Sequence, residues 1–239
     1  MPLLREIPNN MKTVVINGQS HHGSTYHIAH MLGTKIGGEL TELFLPNDFS
    51  EFCMGCTKCF TQGEDKCPHY EKLSEITRYI DEADVIILAS PVYCYHVTGA
   101  MKALLDHYAY RWMAHRPEKA MFTKQGVCIS TAAGAGAKST NKDMADSLFN
   151  WGVAKIYKLG MPVAAMKWEQ VSDKKKQSLE ESTSRMAAQI IRRSGKVRPA
   201  FKTKAMFMLM RMIQKNGWNE YDIGYWKKNG WLENSRPWK

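Results

Sequence analysis

Four cysteines fall within fifteen residues: Cys53, Cys56, Cys59 and Cys67, spaced C-x2-C-x2-C-x7-C, with Pro68 behind the last. Three thiols set two residues apart can converge from one tight turn, and a fourth from the far end of the loop completes a tetrahedral set. Zinc normally takes two separated C-x2-C pairs, so the triple run favours a cubane iron–sulfur cluster over zinc. Two other readings stay open: the cysteines only pack, or they take part in regulatory disulfide chemistry. Cys94 and Cys128 lie in or beside expected strands and read as small apolar residues.

Three further segments carry the residue types that hold a phosphorylated, planar ligand. The run Asn17-Gly18-Gln19-Ser20-His21-His22-Gly23-Ser24-Thr25 follows a β-branched stretch and opens a helical one. A helix N-terminus offers free N–H groups and a positive dipole, and Ser and Thr hydroxyls add donors. The run lacks the P-loop lysine and the spaced glycines of a dinucleotide fingerprint, which disfavours ATP or a Rossmann NAD site. An ordinary turn with Ser24 as N-cap would look the same. The second segment, Pro91-Val92-Tyr93-Cys94-Tyr95-His96-Val97-Thr98-Gly99, sets aromatic and small residues at a strand end, with Lys102 and Asp106 in the helix beyond. The third, Ala132-Ala133-Gly134-Ala135-Gly136, has almost no side chain, so its backbone N–H groups can approach a ligand closely.

The combination of SxxGST, SPVYxxxxTGxMKxLLD and a Gly/Ala-rich loop resembles the flavodoxin-like NAD(P)H-dependent FMN reductase family across residues 12–195. The cysteine spacing resembles that of its iron–sulfur flavoprotein branch, which carries a [4Fe–4S] cluster beside FMN. The resemblance implies that Ser20, His22, Gly23, Ser24 and Thr25 bind the FMN phosphate. It implies that Pro91, Val92, Tyr93 and Cys94 contact the isoalloxazine, and that Thr131, Ala132, Gly134 and Gly136 line the ribityl chain and ring edge. Cys53, Cys56, Cys59 and Cys67 would be the cluster ligands. Many relatives have Arg and Asn in the phosphate loop, where this chain has His21 and His22.

The elements that must position these loops alternate. Strands are expected at Lys12–Asn17, Glu39–Leu45, Asp84–Ser90, Gly126–Thr131 and Ala154–Leu159, and helices at Ser24–Ile36, Tyr70–Ala83, Thr98–His115, Ser139–Trp151 and Ser172–Ser194, the last with Ser172 as N-cap. Near-continuous apolar strands between helices predict an α/β, doubly wound parallel sheet of five strands, in the flavodoxin order 2-1-3-4-5. Ligands of such sheets sit at the C-terminal strand ends, where the three segments fall.

The chain has 239 residues, is 44% apolar and 23% charged, and carries a net +10. These are ordinary globular values, which exclude a disordered or fibrous class. Residues 1–152 hold 14 basic and 16 acidic side chains, and residues 153–239 hold 19 and 7. The excess positive charge therefore belongs to the C-terminal third and faces something anionic: a nucleotide phosphate, an acidic partner or a membrane surface. Residues 1–195 are expected to form the FMN-binding domain. Residues 196–239 are expected to form a basic, aromatic extension packing on that domain or on a dimer partner, with Trp218, Tyr225, Trp226, Trp231 and Trp238 crowding it. Walls for the substrate pocket and membrane-surface binding are the other two roles for this extension. No signal peptide or spanning segment is visible, so a cytoplasmic protein without stable membrane insertion is expected, as a homodimer or higher assembly and with no nucleic-acid partner. The functional expectation is an oxidoreductase passing electrons from NAD(P)H through FMN to a quinone-like or other small electrophilic acceptor. The alternatives are an electron carrier fed by ferredoxin, and a structural zinc or interaction module.

Overall fold

The computed structural model describes residues 10–165, 167–217 and 219–239. Trp218, one of the tail aromatics, lies outside the described residues, as do residues 1–9 of the N-terminal segment read for a signal. Five strands, β1 (Lys12–Asn17), β2 (Glu39–Phe44), β3 (Val85–Ala89), β4 (Gln125–Ala132) and β5 (Lys155–Pro162), form one all-parallel sheet in the order β2-β1-β3-β4-β5. This is the expected flavodoxin-like arrangement. Asn17 pairs with both Phe44 and Ala89, so the first three strands end level. β4 and β5 run on together through the pairs Thr131–Met161 and Ala132–Pro162.

The helices are α1 (Ser24–Ile36), α2 (Lys58–Thr61), α3 (Tyr70–Glu82), α4 (Gly99–His107), α5 (Ala137–Asn150), α6 (Asp173–Arg193), α7 (Phe201–Lys215) and α8 (Glu220–Lys228). Strand side chains alternate between faces, and both faces are covered, which is why the strands read as unbroken apolar runs. Val14, Ile16, Ile86, Leu88 and Cys128 bury against α3, α4 and α5. Val15, Val85, Ile87, Val127 and Ile129 bury against Ile28, Leu32 and Ile36 of α1 and Leu179 and Ile190 of α6. A third cluster joins Phe207 of α7, Trp226 of α8 and Trp231 to Met113 and Phe122, so the C-terminal aromatics pack on their own chain.

Two expectations need correction. The helix expected over Thr98–His115 stops at His107 and gives way to a 3-10 turn, Ala109–Arg111. The buried guanidiniums of Arg111 and Arg116 reach Asp81 and Asp222 from the irregular chain that follows, and these bonds override the helical spacing. Ser172 does occupy the N-cap of α6, but its side chain accepts no capping hydrogen bond.

Candidate functional site

The C-terminal edge of the sheet brings the three permissive loops together. The backbone does most of the joining: Gly18 N–H donates to Ala89 O at 2.7 Å, Ser90 N–H to Ile129 O at 3.0 Å and Val92 N–H to Thr131 O at 2.9 Å. Thr98 ties the first two loops. Its hydroxyl donates to Gly18 O at 2.6 Å and accepts from Met101 N–H at 3.1 Å, which caps α4, while its own N–H donates to Ser90 Oγ at 3.0 Å.

In the first loop, Gly23 is the N-cap of α1, and Ser24 and Thr25 begin the helix. The N–H groups of Ser24, Thr25 and Tyr26 lack an acceptor one turn back, as in any helical first turn, so they point out of the helix end. The Thr25 and Thr131 hydroxyls bond each other at 2.7 Å, which links this loop to the end of β4 and still leaves one of the two protons to donate. Ser20 and His22 are exposed, and the His22 ring stacks on Tyr26 with centroids 4.1 Å apart. Among the described residues, the buried Asn17 Oδ1 and Gln19 Nε2 find no hydrogen-bond partner.

The second loop folds back in a tight turn, Tyr93 and His96 exchanging backbone hydrogen bonds of 3.0 Å each. Cys94 and Tyr95 at its tip take φ of +50° and +67°, left-handed values unusual for side-chain-bearing residues and typical of loops built around a ligand. α5 braces the turn: Ser139 Oγ–H donates to Tyr95 O at 2.5 Å, and Asp143 Oδ2 meets His96 Nδ1 at 3.0 Å. The third loop comes up against it. Gly136 has φ +98°, and a Cβ there would lie 2.5 Å from Val92 Cγ1 and 3.3 Å from Tyr95 Cα, so glycine alone permits the approach. Ala133, Gly134 and Ala135 are exposed, and Thr131 and Ala132 are buried beneath them.

The four-cysteine loop lies elsewhere, against the far end of α4. Cys53, Cys56, Cys59 and Cys67 line one cavity of about 120 Å³, closed by Phe60, His69, Asp106 and His107. Burial pushes the Cys59 thiol up to about 11, and the neighbouring thiols of Cys67, Cys53 and Cys56 push the same way against the Arg116 guanidinium. Bound cations reverse such a shift, because a thiolate crowded by other thiolates is stabilised by positive charge between them. His107 Nδ1 bonds Ala103 O at 2.7 Å, and its Nε2 meets His69 Nδ1 at 2.9 Å. Desolvation lowers the His107 pKa, which keeps the ring neutral.

A buried hub fastens this loop. Arg116 donates to Cys59 O and to Asp222 Oδ1, while Asp222, fully buried, also bonds His115 Nδ1 at 2.7 Å. Asn219 Nδ2–H donates to Phe60 O at 3.2 Å. The C-terminal extension thus grips the cysteine loop through residues that are more than a hundred positions away. Sequence reasoning missed His69, His107, Arg116, Asn219 and Asp222. Of these only His69, two residues past Cys67, carried any local signal.

The model of the NADPH-dependent FMN reductase family matches residues 11–169. The chain belongs to this family. An iron–sulfur flavoprotein of Archaeoglobus fulgidus is 29% identical over 129 residues, 53% of this chain and 56% of that protein. An iron–sulfur flavoprotein of Methanocaldococcus jannaschii is 44% identical over 54 residues, 23% of this chain and 27% of its own. The matches therefore span about half or less of these curated relatives' length. Among solved structures, an FMN-dependent NADH-azoreductase of Bacillus anthracis in complex with FMN superposes with a TM-score of 0.55 at 14% identity, covering 74% of this chain and 99% of its own. An NADH:FMN oxidoreductase in its apo form gives 0.56 at 17% identity, covering 82% and 99%. At these identities the two structures speak for the fold. Within the FMN reductase family match fall all three edge loops and all four clustered cysteines; α6, α7 and α8 lie beyond it.

Proposed function

We propose that the protein is an FMN-dependent oxidoreductase that passes electrons from NAD(P)H to a quinone-like or other small electrophilic acceptor, with a [4Fe–4S] cluster as a second redox centre. The observation that carries the reading is the meeting of three permissive loops at the C-terminal sheet edge, in a chain of the FMN reductase family. FMN, when bound, supplies the hydride and electron chemistry. The chain's part is binding and orientation. Ser20, Ser24 and Thr25, with the first N–H groups of α1, would present donors to a phosphate, and His22 and Gly23, whose own N–H donates to His21 O, border them. The partnerless Gln19 Nε2 and Asn17 Oδ1 beside this loop suit a ligand that satisfies them. The turn from Pro91 through Cys94 offers a flat flank to a ring, and Thr131, Ala132, Gly134 and Gly136 offer backbone and small side chains to its edge.

Cys53, Cys56, Cys59 and Cys67 would hold the cluster. Support comes from their common cavity and from the iron–sulfur flavoproteins among the relatives. α4 begins at the ring loop and ends at this cavity, so along its nine residues the two sites would lie roughly 12 Å apart. The exposed Tyr93 and Tyr95 on the ring side are the surface that a homodimer would cover.

FMN titration into flavin-free protein tests the reading. The Ser24→Ala/Thr25→Ala double variant is expected to bind at least about tenfold more weakly, since a hydrogen bond to a charged acceptor contributes about 1.5–3 kcal/mol. Unchanged affinity would contradict the placement. NAD(P)H-dependent bleaching of the bound flavin separates the reductase from a carrier fed by ferredoxin, which would need no NAD(P)H.

A further inference from the structure

α7 has two opposed apolar faces, and the chain covers only one. Thr203, Phe207 and Gln214 face inward; Phe207 joins the third cluster and Gln214 Nε2–H donates to Ala114 O at 2.7 Å. On the outer side Phe201, Ala205, Met208, Leu209 and Met212 line up at helical spacing in solvent, with Phe201 87% exposed, Leu209 50% and Met212 62%. Exposed Lys202 and Lys215 stand at the two ends of this stripe, and Lys196 and Arg198 precede it. α7 contains four basic residues and no acidic one. Arg211 is tied down by donating to Trp231 O, Leu232 O and Glu233 O, while Lys202 and Lys204 rest over the Phe149 and Trp238 rings, contacts that leave their charge unneutralised.

We propose that the outer face of α7 adsorbs in the plane of an anionic lipid surface. The apolar stripe enters the headgroup–acyl boundary while the flanking lysines meet lipid phosphates. Charge decides between this occupant and a second copy of the chain. Pairing α7 with α7 in either direction sets lysines near lysines, and the helix has no carboxylate to answer them. A bilayer rich in anionic headgroups answers every one of them and takes in the stripe besides. The net +12 of residues 153–239 adds long-range attraction of the same sign. Fifteen residues make a helix of about 22 Å, too short to cross, and among the described residues no helix is long and apolar enough to span a membrane.

The test is flotation of full-length, FMN-loaded protein with vesicles of phosphatidylglycerol and phosphatidylcholine, or of phosphatidylcholine alone. Binding is expected only where phosphatidylglycerol is present, and it should weaken steeply with added salt. Leu209→Glu/Met212→Glu, at positions exposed enough to leave the fold intact, should lose at least about tenfold in affinity. Lys202→Ala/Lys215→Ala should lose roughly 25-fold, at about fivefold for each lysine near an anionic surface. Flavin content and its reduction by NAD(P)H should stay unchanged in both variants. No flotation of the wild type, or flotation indifferent to both variants, would overturn the proposal. So would sedimentation showing a dimer that Leu209→Glu/Met212→Glu splits, because a second copy would then cover the face.

Discussion

The loops at the sheet edge and the loop of four cysteines are built in different ways. At the edge, strand register carries the first, second and third loops into place through backbone bonds from Gly18, Ser90 and Val92 to the neighbouring strand ends. Side chains such as Thr98 and Ser139 only trim that geometry. The cysteine loop holds one short helix, α2, and a 3-10 turn, and eight residues already separate the end of β2 from Cys53. It hangs on Arg116, Asn219 and the buried Asp222. Register is a property of the whole sheet, so the edge is robust to single side-chain losses. The cysteine loop depends on a few buried polar partners, whose removal leaves charge stranded.

The sharpest way to break this contrast is Arg116→Met. It leaves the buried Asp222 carboxylate with His115 but without its guanidinium and frees Cys59 O, an expected loss of about 3 kcal/mol in urea unfolding. FMN affinity of the folded fraction should not move, because among the described residues the hub's hydrogen bonds and ion pairs reach no edge loop. Weaker FMN binding in that variant would show that the two regions are coupled.

Gly136→Ala tests the other side. Its Cβ would press on Val92 and Tyr95 at a φ that disfavours any side chain, for an expected loss of about 1–3 kcal/mol and weaker FMN binding. Urea midpoints and flavin titration read the two effects, and iron content should stay unchanged.

The same contrast explains what was legible in the sequence. β1 and α1 were placed to the residue, because buried strands and amphipathic helices write their period into consecutive residues, while the strand order came with the flavodoxin-like resemblance. The positions of the edge loops followed, since they merely connect those elements. The hub did not. Arg116 and Asp222 are ordinary charged residues until the fold joins them across 106 positions, and they bend the chain out of the helix that the apolar spacing around Leu104 and Tyr108 suggests. The inward fit of Phe207 and Trp226 on Phe122 was equally hidden, because spacing shows that a face is apolar and not what covers it.

A smaller effect is expected with pH. Burial lowers the His107 pKa below its ordinary 6.5, so the unfolded chain takes up this proton more readily than the folded one. The stability it contributes is present above about pH 6.5 and is lost as pH falls through the lower folded value. Urea midpoints should drop between roughly pH 7.5 and 5.5, and His107→Gln should flatten that drop. Because His107 lines the cysteine cavity, the acid loss should be confined to that region, with the flavin edge unaffected.

The central claim is that one chain carries a flavin edge and a separate four-cysteine redox site. Counting FMN, iron and sulfide in anaerobically purified wild type and Cys56→Ser tests it most directly. The wild type should hold FMN together with iron and sulfide in [4Fe–4S] proportion, and Cys56→Ser should lose the iron and sulfide while keeping its FMN. Wild type that contains FMN without iron, or a variant that loses both together, would contradict the account.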